Sequence, residues 1–422
     1  MANEKEVFGL PKIVITFKTK STTAIARSAR GVGVMILNDS HMLDDDGVES
    51  WQLYRIEDTD DVPSTGIDER NADLINKALL GTPLRLLVYL IPPASKTVTK
   101  EVTTGEGDDA VTETVTETVD CEINQSTILK EVADSKWNYI CHPTGKTSDQ
   151  SALSGWVVTY RNNHDKSFKA IVAKVPTADH EGVINFTTGG ITIENPDWLD
   201  AYEDADGDET QIPATIPHYL TYTAAEYTAR IMGILCGLSL DRSATYYELG
   251  EVVKCDAYDD INSNINNGEL CLFDEKDGNG VKIARACNSL HTFTTDKGQD
   301  FRYIKIVEAI DMIHDDIGDT FREEYVGKVI NSYNNKMLFI AAIHVYFNGL
   351  KGNVLDASPS VNNYVEIDTD KHLDWAALHS IDTTNWSDQR IRELNTGTNV
   401  FLRGVIHCVN AMEDLTLNFT IE

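Results

Sequence analysis

Apolar positions along the chain fall into short runs separated by polar, acid-rich stretches, and the spacing inside the runs alternates between two periods. VGVMIL, ending at Asn38–Asp39, is a buried strand by its unbroken apolar character. After an acidic, loop-like stretch over 41–73, DERNADLINKALLG places Ala72, Ile75, Leu79 and Leu80 on one helical face, with acids in its first turn and Gly81 at its stop. PLRLLVYLI follows as a second continuous strand. The same helix-then-strand pair recurs at STILKEVADSKWNYICHP and again at SDQSALSGWVVTYRNN with KSFKAIVAKV. Strands alternating with helices predict an α/β fold with a mixed, mostly parallel sheet. Further on, Thr223 and Glu226 have capping-box spacing before an amphipathic helix that ends near Gly237. NNGELCLFDEKDGNGVKIARACNSL predicts a hairpin with DGNG at its tip, and residues 299–350 read as three successive helices. No period of 20 to 50 residues recurs, which excludes a solenoid.

Both chain ends alternate in strand period. In LPKIVITFK, Ile13, Ile15 and Phe17 point one way, and Pro11 confines the strand start to an edge or an entry position. At the other end, Leu415, Leu417, Phe419 and Ile421 alternate with Thr416, Asn418, Thr420 and Glu422, preceded by a β-rich run over 400–409 that includes Phe401 and Val405. Four large apolar side chains so near a terminus need a cover. The pattern leaves two covers open: pairing inside one domain, as closed sheets prefer, or strand addition to a neighbouring sheet.

Two stretches break the rhythm. Residues 92–121 alternate Thr with Val or Glu around a GEGDD turn, a hairpin with mostly wet faces, and residues 194–217 carry eight acids and no base. Both read as insertions projecting into solvent. Composition then sets the limits: 422 residues with 41% apolar positions support two or three cored domains. A net charge of −31 argues against nucleic acid as a partner, and the apolar runs are too short for membrane insertion. Seven dispersed cysteines without a CxxC pair read as reduced core thiols of a protein made in a cytosol, and MANEKEVFG has no apolar signal core.

Candidate chemistry is thin. His142-Pro-Thr-Gly-Lys-Thr147 stands between a strand and a helix like a phosphate-cradling loop, but Ile140 replaces the first glycine and Pro143 removes a donor. Asp204, Asp206 and Asp208 echo a calcium loop with its glycine misplaced and Thr215 at the twelfth position. His180–Glu181 lacks the second histidine of a zinc helix, since Ile184 stands there. Asp311, His314 and Asp315 share one helical face at metal-ligand spacing, although a wet charged face is the commoner meaning. No serine or cysteine has a nucleophile context. The residues therefore predict no catalytic, metal or cofactor site.

Taken in order, RSARGVGVMIL, ALLGTPLRLLVYLI, WNYICHP, HEGVINFTT, NNGELCLF with VKIARACNSL, IKIVEAIDMIHDDI, YVGKVINSYNNK and NAMEDLTLNFTI resemble the tail sheath proteins of contractile phage tails and phage-tail-like bacteriocins, of the Gram-positive phage type. The resemblance runs from about Leu10 to Ile421, omitting the two insertions. It implies a non-enzymatic subunit that polymerises as stacked hexameric rings around an inner tube and shortens to drive that tube through an envelope. Its partners would be further copies of itself, the tube protein, and baseplate and terminator proteins, in a virion tail or phage-tail-like particle assembled in a bacterial cytoplasm. The family's interleaved arms favour inter-subunit pairing for both ends. The expected layout is an N-terminal arm over 1–20, an α/β domain over 21–285, a C-terminal α+β assembly domain over 286–398 and a C-terminal arm over 399–422. Hinges are expected at Thr19–Thr22 and Asn395–Thr398, with Gly397→Pro as the stiffening change, and Arg322, Lys328 and Lys336 as tube-facing bases. The competing reading from another class is an acidic cytosolic α/β enzyme with a ligand pocket.

Overall fold

The computed structural model describes residues 25, 30–104, 111–205, 208–276 and 280–421. The chain opens with β1 (Val32–Asn38) and β2 (Gln52–Ile56), then α1 (Glu69–Leu79), β3 (Arg85–Ile91), β4 (Ser95–Thr104) and β5 (Val111–Asp120). It continues through α2 (Gln125–Val132), β6 (Tyr139–Cys141), α3 (Thr147–His164), β7 (Lys169–Ala173), β8 (Val183–Phe186), β9 (Ile191–Glu194) and α4 (Pro196–Asp204). Next come β10 (Tyr219–Tyr222), α5 (Ala224–Gly237), β11 (Glu248–Leu249), β12 (Val252–Lys254), α6 (Ile261–Asn266), β13 (Glu269–Leu270), β14 (Leu272–Asp274) and β15 (Val281–Ile283). The last third holds α7 (Ile304–Thr320), α8 (Tyr333–Leu350), β16 (Tyr364–Ile367), α9 (Thr369–Leu378), α10 (Asp388–Arg392) and β17 (Leu402–Val405).

A seven-stranded sheet in the order β13-β8-β7-β6-β1-β3-β2 organises the larger of two compact units, which comprises Arg27–Gly318, Lys351–Val361 and His407–Glu422. All its pairings are parallel except that of the edge strand β2. The sheet is covered on both faces, which is why its strands are unbroken apolar runs. Met35 and Leu37 face a core filled by Leu74, Ile75 and Ala78 of α1 and Ile231, Met232 and Ile234 of α5. Val34 and Ile36 face the other, filled by Ile128 and Val132 of α2 and Leu153 and Val157 of α3. The end of α1 and α5 meet backbone to backbone, because a Cβ at Gly233 would overlap the Ala78 carbonyl and one at Gly237 the Gly81 carbonyl. Gly81 thus serves the crossing as well as the helix stop. The capping box at Thr223 and Glu226 forms as the spacing predicts.

The hairpin of β4 and β5 runs in register from Ser95↔Asp120 to Thr104↔Val111. Glu49 fastens its root, holding the Lys96 ammonium at 3.0 Å and accepting Ile123 N–H at 2.7 Å. The 194–217 stretch departs from the projecting loop expected of it. It contains α4, with Pro196 in the first turn, Asn195 as N-cap and Trp198 buried between Tyr202 and His218 rings. β14 and β15 form the predicted hairpin, whose tip lies outside the described residues.

The smaller unit comprises, among the described residues, Asp319–Leu350 and Asn362–Ile406. Phe339, Ile340, Ile343 and Phe347 of α8 are buried, with β16 packed against the helix and paired antiparallel to β17, Tyr364↔Val405 through Ile367↔Leu402. Two helices, not three, occupy 299–350. α7 runs on into a single π turn, Phe321–Tyr325, and ends there; Gly327 has φ +71° and β-branched Val326, Val329 and Ile330 do not resume a helix before Tyr333.

Candidate assembly surfaces

Leu415, Leu417, Phe419 and Ile421 are 86, 62, 82 and 96% exposed, and 415–421 belongs to no strand. A strand is a paired object, so the alternating pattern is legible here while no partner strand for it lies among the described residues. Ile13, Ile15, Phe17 and the Thr19–Thr22 hinge lie outside the described residues. Phe401 and Val405 need correction as arm residues. Val405 is in β17, paired to Tyr364 of the same chain, and the Phe401 carbonyl accepts from Asp368 N–H. This pairing leaves two outer edges of unequal openness. His344 Nε2 accepts Val365 N–H at 3.0 Å on the β16 side, whereas Arg403, Gly404 and Val405 of β17 are exposed and meet no further strand among the described residues.

Of the three bases expected to face a tube, Arg322 is exposed and tied to Asp319 at 2.6 Å, and Lys328 is exposed with its ammonium on the Glu323 carbonyl. Lys336 is not a surface group. It lies on the inner face of α8, 4% exposed, donating to Thr396 Oγ1 at 3.2 Å beside His372, and burial lowers its pKa. A groove of about 470 Å³ opens nearby, walled by Phe321, Tyr325, Phe339 and Val400 with Val329 and Ile330 at its lip. The expected Asn395–Thr398 hinge is a fastened turn. Thr396 is fully buried, Asn331 Nδ2 donates to the Gly397 and Asn399 carbonyls at 2.8 and 2.9 Å, and Gly397 has φ +64° with its N–H on Asn395. Proline, locked near φ −65° and lacking an N–H, would break this turn instead of stiffening it.

The stretches that looked like chemistry are structural. His142 is buried between Gln125 Oε1 at 2.7 Å and Asn38 Oδ1 at 2.9 Å, and burial pushes its pKa down to about 3. Gln150 joins the His142 carbonyl to Ala173 N–H, and Asn185 joins both backbone groups of Val175. Side-chain amides thus fill the crevice at the carboxyl ends of the parallel strands, where α/β enzymes bind ligands. Asp39, His41 and Asp68 come within metal-ligand distance of one another. Asp39, however, spends one oxygen on His41 and the other on Asp68 N–H and Asn71, while Asp68 accepts from Ser40, so the trio ties the end of β1 to the start of α1. Asp208 spends its carboxylate on capping Thr210 and Gln211; Asp206 and Gly207 lie outside the described residues.

The face of α7 carrying Asp311, His314 and Asp315 is only partly wet: His314 is exposed, Asp315 half-buried and Asp311 buried. Asp311 is 4% exposed and holds Arg161 through two hydrogen bonds, at 2.9 and 3.0 Å, and Lys169 at 2.5 Å. Glu308, one turn earlier, takes Arg30 at 2.6 Å, Lys169 at 2.8 Å and Tyr139 Oη at 2.8 Å. Burial alone would raise the Glu308 carboxyl, but Arg30 and Lys169 hold it well below the usual carboxylate range. Asp315 accepts from Ser167, Arg30 and His314. The hydrogen bond to Asp315, opposed by partial burial and helped by Asp165, raises His314 to about 9. Glu181 joins the edge of this network 4.0 Å from Arg161 and also holds Lys297 at 2.6 Å, and burial keeps neighbouring His180 neutral. A helix read as a solvated face is therefore bolted by ion pairs to the amino ends of β6 and β7. No spacing rule separates that from a metal site, because the cations come from residues 30, 161 and 169.

Residues 296–422 match the family model of the phage tail sheath C-terminal domain. Over 414 residues, 97% of this chain and 98% of that protein, the sequence is 28% identical to the tail sheath protein of Clostridium phage phiCD119. The fold resembles that of the sheath tail protein from Desulfitobacterium hafniense, with a TM-score of 0.59 at 19% identity over 84% of this chain and 93% of that one. It also resembles the helical sheath of the anti-feeding prophage in its contracted state, with a TM-score of 0.61 at 13% identity over 98% of this chain and 99% of that one. Residues 296–422 thus match the sheath C-terminal domain, and the chain as a whole resembles contractile-tail sheath proteins, in sequence from end to end and in fold across nearly the whole length.

Proposed function

We propose that the chain is a structural sheath subunit that polymerises as stacked hexameric rings around an inner tube and shortens to drive that tube through a target cell envelope. It would act in a virion tail or phage-tail-like particle, alongside tube, baseplate and terminator proteins. The observation that carries this reading is the uncovered C-terminal end: four large apolar side chains, alternating over 415–421, stand in solvent, in strand period and one after another. Strand addition to a second copy covers them and supplies the missing ladder. The open edge of β17 is a matching acceptor, with the N-terminal strand as the second donor. Arg322 and Lys328 remain the proposed tube-facing bases. The filled crevice at the strands' carboxyl ends weighs against the acidic enzyme.

Electron microscopy of the purified, negatively stained protein tests this directly. Tubes or stacked rings are expected, and a small closed oligomer alone would sink the sheath reading. Deleting Leu415–Glu422 should leave a folded, soluble protein that no longer assembles. If that deletion melts the fold, the end belongs to its own chain.

A further inference from the structure

The C-terminal segment does not leave the larger unit as a loose tail. His407 and Val409 are stitched to Leu355 and its neighbours: Asp356 N–H donates to the His407 carbonyl at 2.8 Å, and Val409 N–H to Val354 at 2.9 Å. The buried Lys305 ammonium then takes the Val409 carbonyl at 2.6 Å. Four residues later, Glu413 turns inward, its side chain only 6% exposed. Ser243 Oγ and Thr245 Oγ1 both donate to its Oε1 at 2.8 Å. Those hydroxyls are preset as donors, because Ser243 Oγ accepts Thr245 N–H and Thr245 Oγ1 accepts Ala286 N–H. Arg285 closes the other side, its Nε 3.6 Å from Glu413 Oε2 and its guanidinium on Asp414 at 2.6 Å. Glu413 Oε2 is shut off from solvent without a hydrogen bond, so charge attraction to Arg285 is what compensates its burial. Glu413 is the last inward-turned side chain of the segment: Met412 before it stands fully in solvent, and beyond it the Asp414 side chain is 78% exposed and Leu415 86%.

We propose that Ser243, Thr245 and Arg285 form a carboxylate-receiving clamp for Glu413, which fixes the root of the C-terminal arm and sets its free joint between Asp414 and Leu415. The clamp is built before the arm arrives, since its donors are oriented by backbone groups of 245 and 286. Its position stands on the contacts above; its role in assembly rests on the sheath reading. An arm that begins at a fixed point has a fixed length, so every link between copies spans the same distance. Unseating Glu413 frees 410–414 as well, while Val409 stays held by Val354 and Lys305, which adds roughly 17 Å of extended chain. The fastened turn at Asn395–Thr398 is then not where the arm moves.

Limited proteolysis of the full-length monomer with chymotrypsin tests the clamp without assembly, since the bond after Met412 carries the clamped Glu413 and the sites beyond it lie on the free arm. In the native chain, cutting after Leu415, Leu417 and Phe419 should be at least tenfold faster than cutting after Met412; equal rates overturn the proposal. Glu413→Ala should raise cutting after Met412 at least tenfold while β1, β3, β6 and β7 stay intact. An unchanged rate after Met412 overturns it, and if that variant does not fold, the native profile and Glu413→Gln decide. In micrographs, Glu413→Ala tubes should lose a uniform axial repeat, and a native repeat overturns the role in setting length. Failure of the native chain to form tubes counts against the sheath reading and leaves the proteolysis result standing.

Discussion

His142 and His314 sit on opposite sides of the ordinary imidazole pKa, for reasons that can be read atom by atom. Burial holds His142 neutral down to about 3, whereas an unfolded histidine titrates near 6.5. Its contribution to stability is therefore present above about 6.5 and is lost as the pH falls toward 3, as the unfolded chain takes up a proton that the fold refuses. Buried His180 adds to the same limb. His314, raised to about 9 by Asp315 and Asp165, contributes below about 6.5 and loses that contribution as the pH rises through 9. The melting temperature should fall on both sides of a plateau near neutrality, and His314→Gln should flatten the alkaline side while leaving the acid side intact. An alkaline limb unchanged in that variant would assign it to other groups. At this scale the sequence showed residue types but not their surroundings. Lys336 looked like a surface base and is sealed against Thr396, and Gly397 looked flexible because nothing in NTGT reveals that Asn331 ties it down.

At the scale of elements, what was legible depended on whether the organising interaction was local. The helix and strand pairs around Ala72–Ile91, Ile128–Cys141 and Leu153–Val172 carry their period within ten to twenty residues, and each formed. The Thr223–Glu226 cap spans one turn and formed too. The face of α7 was misread because its meaning comes from Arg30, Arg161 and Lys169, remote in sequence and brought together by the sheet. The acidic 194–217 stretch hid a helix because Asp and Glu dominate its composition, while one tryptophan, Trp198, decides its packing. The β4–β5 hairpin was legible and also tests independence. Its contacts with the body concentrate at the Lys96–Glu49 root, and its described threonines and Val115 face water. Replacing 98–117 by a short turn, with Lys96 kept, should shift the melting temperature by no more than about 4 °C and leave tubes unchanged in micrographs. Loss of tubes would place the hairpin at a contact between copies.

For the whole molecule, the two chain ends were the most informative stretches of the sequence. Their alternation announces strands, and the described residues supply no partner for Leu415–Ile421. That segment contains no charged residue, on a chain whose net charge is −31. In the proposed assembly, adhesion and repulsion are thereby separated in space: the neutral strip joins, and the acidic chain behind it pushes like copies apart. Two free monomers meeting in solution feel the repulsion at long range and the strip only on contact, so spontaneous growth faces an electrostatic barrier that a template offering many contacts at once can overcome. Raising salt from 20 to 500 mM should therefore accelerate assembly followed by light scattering, since screening shortens the reach of the repulsion from about 20 Å to about 4 Å and leaves apolar strand pairing almost untouched. Salt-independent growth would mean that bodies, not arms, set the pace. A subunit assembling in the proposed way needs no latch against polymerising too early, because its own charge would serve as the timer.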